Sequence, residues 1–368
     1  MNLLVCSSYL EAWNSVRPEA EIFIGIAKLG HHVTIITQRK APYAKRFIEN
    51  GIEVIDGHPQ AKLSSATIKL IRRVISERQI NVVYAMDSKT IANAAMACIS
   101  RDVKFVTYRG TVSGAYRRDP TSYLTHLHPR VDGIICQANA VRDYMRGQVW
   151  RNIKIETVYK GQDVAWFETV GPADLTEFGI PENSMVVLCV ANARPSKGIP
   201  SLLAATYHLA HLDNLHLLIV GRNVDTNKHK LLAKKSPMAE RIHLSSHRLD
   251  VPNLMAAADI YVQPSISGEG LSKAVPESMA NRIPAIVTTT GGMKELIDDD
   301  KTGYTVPVKD PEAMASRIEY LHRNPELCSK MGKAARQRLE EVFTTENSVE
   351  GHIKFFEELL SESKKVSK

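Results

Sequence analysis

Short apolar runs alternate along the whole chain with segments whose apolar residues recur at helical spacing. NLLVC, HVTIIT, IEVID, NVVYAM, KFVTYRG, GIICQA and KIETVYKG form one series; MVVLCVA, LHLLIVG, RIHLSS, DIYVQPS, PAIVTTT and GYTVP form a second. Near-continuous apolar runs belong to strands buried on both faces, as in parallel sheets covered by helices. The intervening PEAEIFIGIAKLG shows the helical period: Pro18 suits a first turn, Ile22, Ile26 and Leu29 share a face, and Gly30 ends it. Strands alternating with helices give an α/β architecture, and two series give two doubly wound domains. Their junction is expected at VYKGQDVAWFE, so the domains are read as 1–163 and 164–345. A C-terminal helix, 346–368, is expected to pack back toward the first domain. Ligands of such sheets bind outside the carboxyl ends of the strands, so two facing domains predict a central cleft.

One strand end carries distinctive chemistry. In PSISGEGLSKAVPESMA, Glu269 and Glu277 stand in a Glu-x7-Glu spacing after an apolar strand, and a helical pattern begins at about Leu271. A helix starting there would turn the amides of Gly270, Leu271 and Ser272 toward a phosphate. Glu269 from the loop and Glu277, about two turns along, can both accept hydrogen bonds from hydroxyls. A diphosphate beside a polyol points to a nucleotide sugar. The bare spacing also occurs on ordinary surface helices; Pro264-Ser265 before it, Gly268 and Gly270 around it, and the strand PAIVTTT after it distinguish this copy.

Composition narrows the setting. A chain of 368 residues exceeds the usual single core, in keeping with two domains. The start, MNLLVCSSYLEAW, has no basic leader region and reads as the first strand, and no stretch of about 18 uninterrupted apolar residues could cross a bilayer. A cytoplasmic protein is expected, with peripheral contact at the inner face of the cytoplasmic membrane open to it. Cys6, Cys98, Cys136, Cys189 and Cys328 are scattered, read as reduced and structural, and form no zinc-type spacing. The net charge of +7 favours anionic partners without choosing among phosphates, acidic glycans, nucleic acid and anionic membrane. The absence of RNA-binding aromatic or zinc-finger motifs argues against nucleic acid.

Beyond these residues, the chain resembles the retaining glycosyltransferases of family 4 (glycosyl transferases group 1), with the GT-B architecture of two Rossmann-like domains facing a central cleft. The resemblance covers nearly the whole chain. It rests on ordered landmarks: LGHHVTIIT, VYKGQD, ANARPSKG, LLIVGR, the Glu-x7-Glu block, TTTGGMKELI and DKTGYTVP. Arg194 and Lys197, just past the first strand of the second domain, can neutralise a diphosphate, or form a solvated basic loop. The resemblance makes them the phosphate-binding pair, with Gly198 as their partner. It also makes Glu277 the ribose ligand and Glu269 the contact to donor-sugar hydroxyls near the reacting carbon. The base is expected against SSHRLD, where His247 or Arg248 could stack on it or lie exposed; uracil and guanine are not distinguished.

The first domain departs from the family pattern. The loop after strand one, where a Gly-Gly pair is usual, reads SSYLEAWNSVRPEAE; Ser7, Ser8, Asn14, Ser15 and Arg17 either replace its work or shape an acceptor site. Arg109 stands in VTYRGTVSG where a His is common; a guanidinium cannot act as general base, so its expected role is electrostatic. Arg117, Arg118, His126, His128 and Arg130 cluster with Tyr116 and Tyr123 in one segment, favouring an anionic acceptor over a merely solvated surface. Asp87 and Asp119 are acceptor contacts or helix caps, and His126 and His128 lack a third partner for a metal. Arg282 falls where glycine often ends a helix.

The resemblance thus implies retaining transfer of a hexose-type sugar from a UDP- or GDP-linked donor to a glycan or lipid-linked glycan, in cell-surface polysaccharide or lipopolysaccharide biosynthesis. No cofactor and no metal are expected. Glu269, Arg194, Lys197 and Arg109 are the catalytic candidates; Gly270, Leu271, Ser272, Glu277, His247 and Arg248 are the donor-binding ones. A nucleotide-sugar epimerase, a sugar phosphorylase and a non-catalytic sugar-binding protein are the alternatives.

Overall fold

The computed structural model describes residues 1–11 and 13–366, so the last two positions of the expected C-terminal helix lie outside the described residues. All thirteen apolar runs form strands. β1 (Asn2–Cys6), β2 (His32–Thr37), β3 (Glu53–Asp56), β4 (Val82–Ala85), β5 (Lys104–Arg109), β6 (Gly133–Cys136) and β7 (Lys154–Thr157) make a parallel sheet in the order β3-β2-β1-β4-β5-β6-β7. A second parallel sheet, β10-β9-β8-β11-β12-β13, contains β8 (Met185–Val190), β9 (Leu215–Val220), β10 (Ile242–Ser245), β11 (Ile260–Gln263), β12 (Ala285–Thr288) and β13 (Gly303–Val306). The strand order reverses between β1 and β4 in one sheet and between β8 and β11 in the other. At such switch points neighbouring loops diverge and leave a crevice outside the carboxyl ends.

The chain divides into two compact units: Met1–Gly161 with Thr344–Lys368, and Gln162–Phe343. In the first, the helix Thr345–Val366 packs along the helix Trp13–Lys28, burying Val349, Phe355, Phe356 and Leu359 with Phe23 and Tyr84. Gly133 lies under Phe355, where a Cβ would come within 2.8 Å of the ring. The second core gathers the β8, β9, β11 and β12 residues with Ile199, Leu202, Met314, Ile318 and Met331. All five cysteines are free and buried. Among the described residues, no helix is long and apolar enough to cross a membrane.

Two local readings need correction. Pro18 is not in a first turn, because the helix already begins at Trp13 and carries the proline inside it. Leu29 does not share the buried face of Ile22 and Ile26: the helix ends at Lys28 and Leu29 is 62% exposed. Arg282 takes φ 59°, the left-handed conformation a glycine would adopt without strain.

Candidate active site

The second unit concentrates polar side chains at its switch point. After β8 the chain makes a short 3-10 turn, Pro195–Lys197, and then Gly198 at φ 68°. A Cβ on Gly198 would lie 1.8 Å from the Pro264 carbonyl oxygen, and the Ile266 amide donates to the Ser196 carbonyl at 2.7 Å. Glycine therefore lets the β8 loop press against the β11 loop. That approach delivers Lys197 to Glu269: Lys197 Nζ donates to Glu269 Oε1 at 2.5 Å, with the carboxylate buried.

A buried hydrogen-bond chain holds the carboxylate from behind. Ser265 Oγ donates to the same Glu269 Oε1 at 2.8 Å, and Gln263 Nε2 donates to Ser265 Oγ at 3.0 Å. Gln263 Oε1 accepts from Tyr261 at 2.7 Å and from Ser272 at 2.9 Å, so the amide is fixed on both sides. Thr288 on β12 closes the group through its hydroxyl to the Ser265 carbonyl. Sequence reading missed Tyr261, Gln263 and the side-chain roles of Ser265 and Ser272. Its available signal was period two: Tyr261, Gln263 and Ser265 alternate with apolar residues in an otherwise apolar run.

The helix start expected at about Leu271 is corrected. The helix begins at Ala274 and ends at Ala280, so Gly270, Leu271 and Ser272 are loop, and Ser272 is drawn back to Gln263. The first-turn amides belong to Ala274 and Val275, and Pro276 has none. Glu277 lies in that helix, partly buried; burial raises its carboxyl pKa to about 7, with Lys273 acting weakly the other way. Arg194 precedes the 3-10 turn and is exposed. Arg248 is engaged by acidic partners, donating to both oxygens of Glu177 (2.7 and 3.0 Å) and both of Asp250 (2.6 and 2.8 Å) beside Phe178. Arg248 is thereby held by carboxylates, while His247 on the same loop is exposed.

In the first unit, Arg109 ends β5, with Nε donating to the Thr111 carbonyl at 3.1 Å. Burial lowers its pKa; the groups that favour its charge are Tyr144, Cys136 and Tyr116, and among the described residues no carboxylate pairs with it. Nearby His126 is buried against Thr107 at 3.0 Å and pushed down to about 3 by burial and by Arg109, so it is neutral. Arg130 is not a free cation: it pairs with Asp132 and donates to the carbonyls of Cys98, Arg101 and Val103. Asp87 and Asp119 act as caps, Asp87 in a capping box and Asp119 through Thr121. A part-buried pair that sequence reading did not single out joins Lys160 Nζ to Glu19 Oε2 at 2.8 Å, with the ammonium over the Tyr108 ring at the same sheet's carboxyl end. Burial opposes that lysine's charge, but Glu19 and Tyr108 outweigh it and hold it protonated. Among the described residues, no three His, Cys, Asp or Glu side chains are grouped as metal ligands.

The model of glycosyl transferases group 1 matches residues 172–338, and that of Glycosyltransferase Family 4 matches residues 20–166. The chain is 25% identical over 289 residues to the N-acetyl-alpha-D-glucosaminyl L-malate synthase of Bacillus anthracis, covering 77% of this chain and 76% of that one. It is 22% identical over 247 residues to the lipopolysaccharide core biosynthesis glycosyltransferase LpsE of Rhizobium meliloti, covering 67% and 70%. Its fold is that of a Rickettsia africae glycosyltransferase structure (TM-score 0.82, 21% identity, 98% of both chains) and of Anabaena HepE in complex with UDP (TM-score 0.78, 17% identity, 97% and 100%).

Proposed function

The chain belongs to the group 1, family 4 glycosyltransferases, and we propose that within them it moves a hexose-type sugar, with retention, from a nucleoside diphosphate to an anionic glycan of the cell surface. The observation that carries the donor assignment is the Lys197–Glu269 pair at the switch point. A cation and a hydroxyl-binding carboxylate stand there side by side, as a diphosphate joined to a sugar requires. Lys197, with Arg194 at the loop's outer edge, stabilises charge growing on the leaving diphosphate. Glu269 receives the sugar hydroxyls, Glu277 the ribose and His247 the base, while Gly270, Leu271 and Ser272 border the donor as loop. The acceptor oxygen bonds to the anomeric carbon as the carbon–oxygen bond to diphosphate breaks; the acceptor's proton passes to a diphosphate oxygen. The two cations supply the charge stabilisation a metal would otherwise give, so chelator is expected to leave turnover intact.

An anionic acceptor is supported by Arg109, partly buried and, among the described residues, without a carboxylate partner. The names of two relatives point the same way, one an N-acetyl-alpha-D-glucosaminyl L-malate synthase and the other a lipopolysaccharide core biosynthesis glycosyltransferase. The decisive experiment screens UDP- and GDP-sugars for nucleoside diphosphate release that depends on acceptor, then determines the product anomer. Inversion would end the retaining reading, epimerised donor without transfer would mark an epimerase, and ligand binding without turnover a binding protein. Arg109→Gln should raise the KM for an acidic acceptor about tenfold or more, with donor affinity unchanged. Activity on a neutral acceptor that is insensitive to salt and to this substitution would remove the anionic-acceptor reading.

Gln263 offers a second check. Gln263→Leu removes the donor to Ser265 and the acceptor for Tyr261 and Ser272, loosening Glu269. We expect kcat to fall by roughly five- to thirtyfold, as for loss of a buried hydrogen bond, with little change in nucleoside diphosphate affinity. Unchanged kcat in the folded variant would show that Glu269 is held without it.

A further inference from the structure

The loop after β10 carries His247, yet its backbone does little to fix it. Before it, the Gly221 amide donates to the Ser245 carbonyl at 3.1 Å; after it, the Asp250 carbonyl accepts from Asn253 and Leu254 at the start of the helix Val251–Ala256. Between these points, among the described residues, the amides of 246–249 donate to no backbone carbonyl. A side chain holds the loop instead. Arg248 gives Nε and Nη2 to Asp250 and Nη1 and Nη2 to Glu177, and its face lies over the Phe178 ring at 5.3 Å. A planar fork engaged on two edges and covered on a face has one orientation open to it. Isolated surface ion pairs contribute little, but a bidentate network around a guanidinium that is 28% exposed is the geometry in which they matter. The anchor is braced in turn. Glu177 and Phe178 belong to the 3-10 turn Leu175–Phe178, capped by Asp174 through the Thr176 amide at 2.9 Å and ended by Gly179 at φ 74°. His243 on β10 hydrogen-bonds to the Phe178 backbone and, at 3.0 Å, to buried His216 on β9. On the other side the Ala173 amide donates to the Asn253 carbonyl at 3.0 Å, and Asn253 Nδ2 donates to the Gly171 carbonyl at 2.9 Å.

We propose that Arg248 is a positioning residue for the base of the donor: clamped to Glu177 and Asp250, it sets the path of residues 246–249 and so presents His247 to the base without touching the base itself. This role rests on the reading above that the base lies against this loop. A loop with no backbone bonds of its own would have to be ordered as the nucleotide arrives, which weakens binding; the clamp orders it beforehand. The phosphates and the ribose are held by Lys197 and Glu277 on other loops, so the clamp bears on the base alone.

The test measures affinities of the full chain for UDP, GDP and inorganic pyrophosphate by calorimetry at fixed ionic strength. In Arg248→Gln and in Glu177→Gln alike, the nucleotide that the parent binds more tightly should be weakened roughly fivefold and the preference between the two nucleotides should narrow, with pyrophosphate affinity unchanged. The two substitutions change net charge in opposite directions, so a purely electrostatic role would move affinity oppositely. A shared loss is the mark of the clamp. His247→Ala should lose the same base-dependent part, and Arg248→Gln should add little to it, as expected of residues acting through one contact. Unchanged pyrophosphate affinity also reports that each variant is folded. Opposite shifts in the two clamp variants, or a fall in pyrophosphate affinity in step with the nucleotide, overturns the proposal. So does nucleotide binding like the parent's in both while His247→Ala loses affinity, a result that would leave the base reading standing. If all three variants bind as the parent does, the base is read elsewhere and the base reading falls together with the clamp, leaving the Lys197 and Glu277 assignments untouched.

Discussion

Lys197→Ala is expected to lower kcat/KM for sugar transfer by roughly thirty- to a thousandfold, the range seen when one preorganised donor to a developing anion is removed. Two consequences of the local geometry add here. The substitution strips a positive charge from the leaving diphosphate, and it leaves the buried Glu269 carboxylate with Ser265 as its remaining polar contact among those described. An uncompensated buried carboxylate is costly, so Glu269 would shift from its place and accept sugar hydroxyls less well. Arg194→Ala should lose less, because Arg194 is exposed and its field is screened by water. Single-turnover measurements with saturating donor separate the chemical step from binding. Lys197→Ala turning over at the parent rate would take the residue out of the reaction.

The fold was legible because buried parallel strands leave an almost continuous apolar signature, which no intervening helix shares over so few residues. Helix boundaries were less so. Ala274 rather than Leu271 starts its helix because Gly270 and Ser272 take loop conformations, and the Ser272 hydroxyl bonds back to Gln263. Nothing within the local window specifies that contact. The same limit governs the site. Lys197 and Glu269 lie 72 positions apart yet could be named together, since each belongs to a recognisable stretch.

Arg248 and Arg130 show the opposite case. Their sequence neighbourhoods suggest free cations, but Glu177, 71 positions away, and the carbonyls around β5 occupy them. Partners that distant are set by the strand order β10-β9-β8 and by the β5–β6 register, not by any spacing in the chain. Glu19 and Lys160, separated by 141 positions, were overlooked for the same reason: their meeting depends on β1 and β7 opening at one end of the same sheet.

The two glutamates are expected to separate cleanly by calorimetry. Glu277→Ala should weaken binding of the bare nucleoside diphosphate by about 1.5 to 3 kcal/mol, the usual worth of hydrogen bonds to a charged group. Glu269→Ala should spare that affinity and impair transfer. The raised carboxyl of Glu277 gives this division a pH signature. The ionised form accepts from the ribose hydroxyls with two charged oxygens and more strongly than the neutral form, so the Glu277-dependent part of the affinity should grow as pH rises through about 7, a dependence that should vanish in Glu277→Gln. Stability moves the other way. With its folded pKa above the unfolded value, Glu277 binds more protons in the native state, so its ionisation destabilises the fold progressively from about pH 4.5 to about 7. Above that window Glu277→Gln should make the ligand-free protein more stable, by something on the order of 2 kcal/mol, while weakening its hold on nucleotide. A residue whose replacement strengthens the fold and weakens the ligand is retained for the ligand. Equal losses of diphosphate affinity in the two alanine variants would show that the ribose is held elsewhere, and a Glu277→Gln protein no more stable than its parent at pH 8 would show that burial does not hold the carboxyl raised.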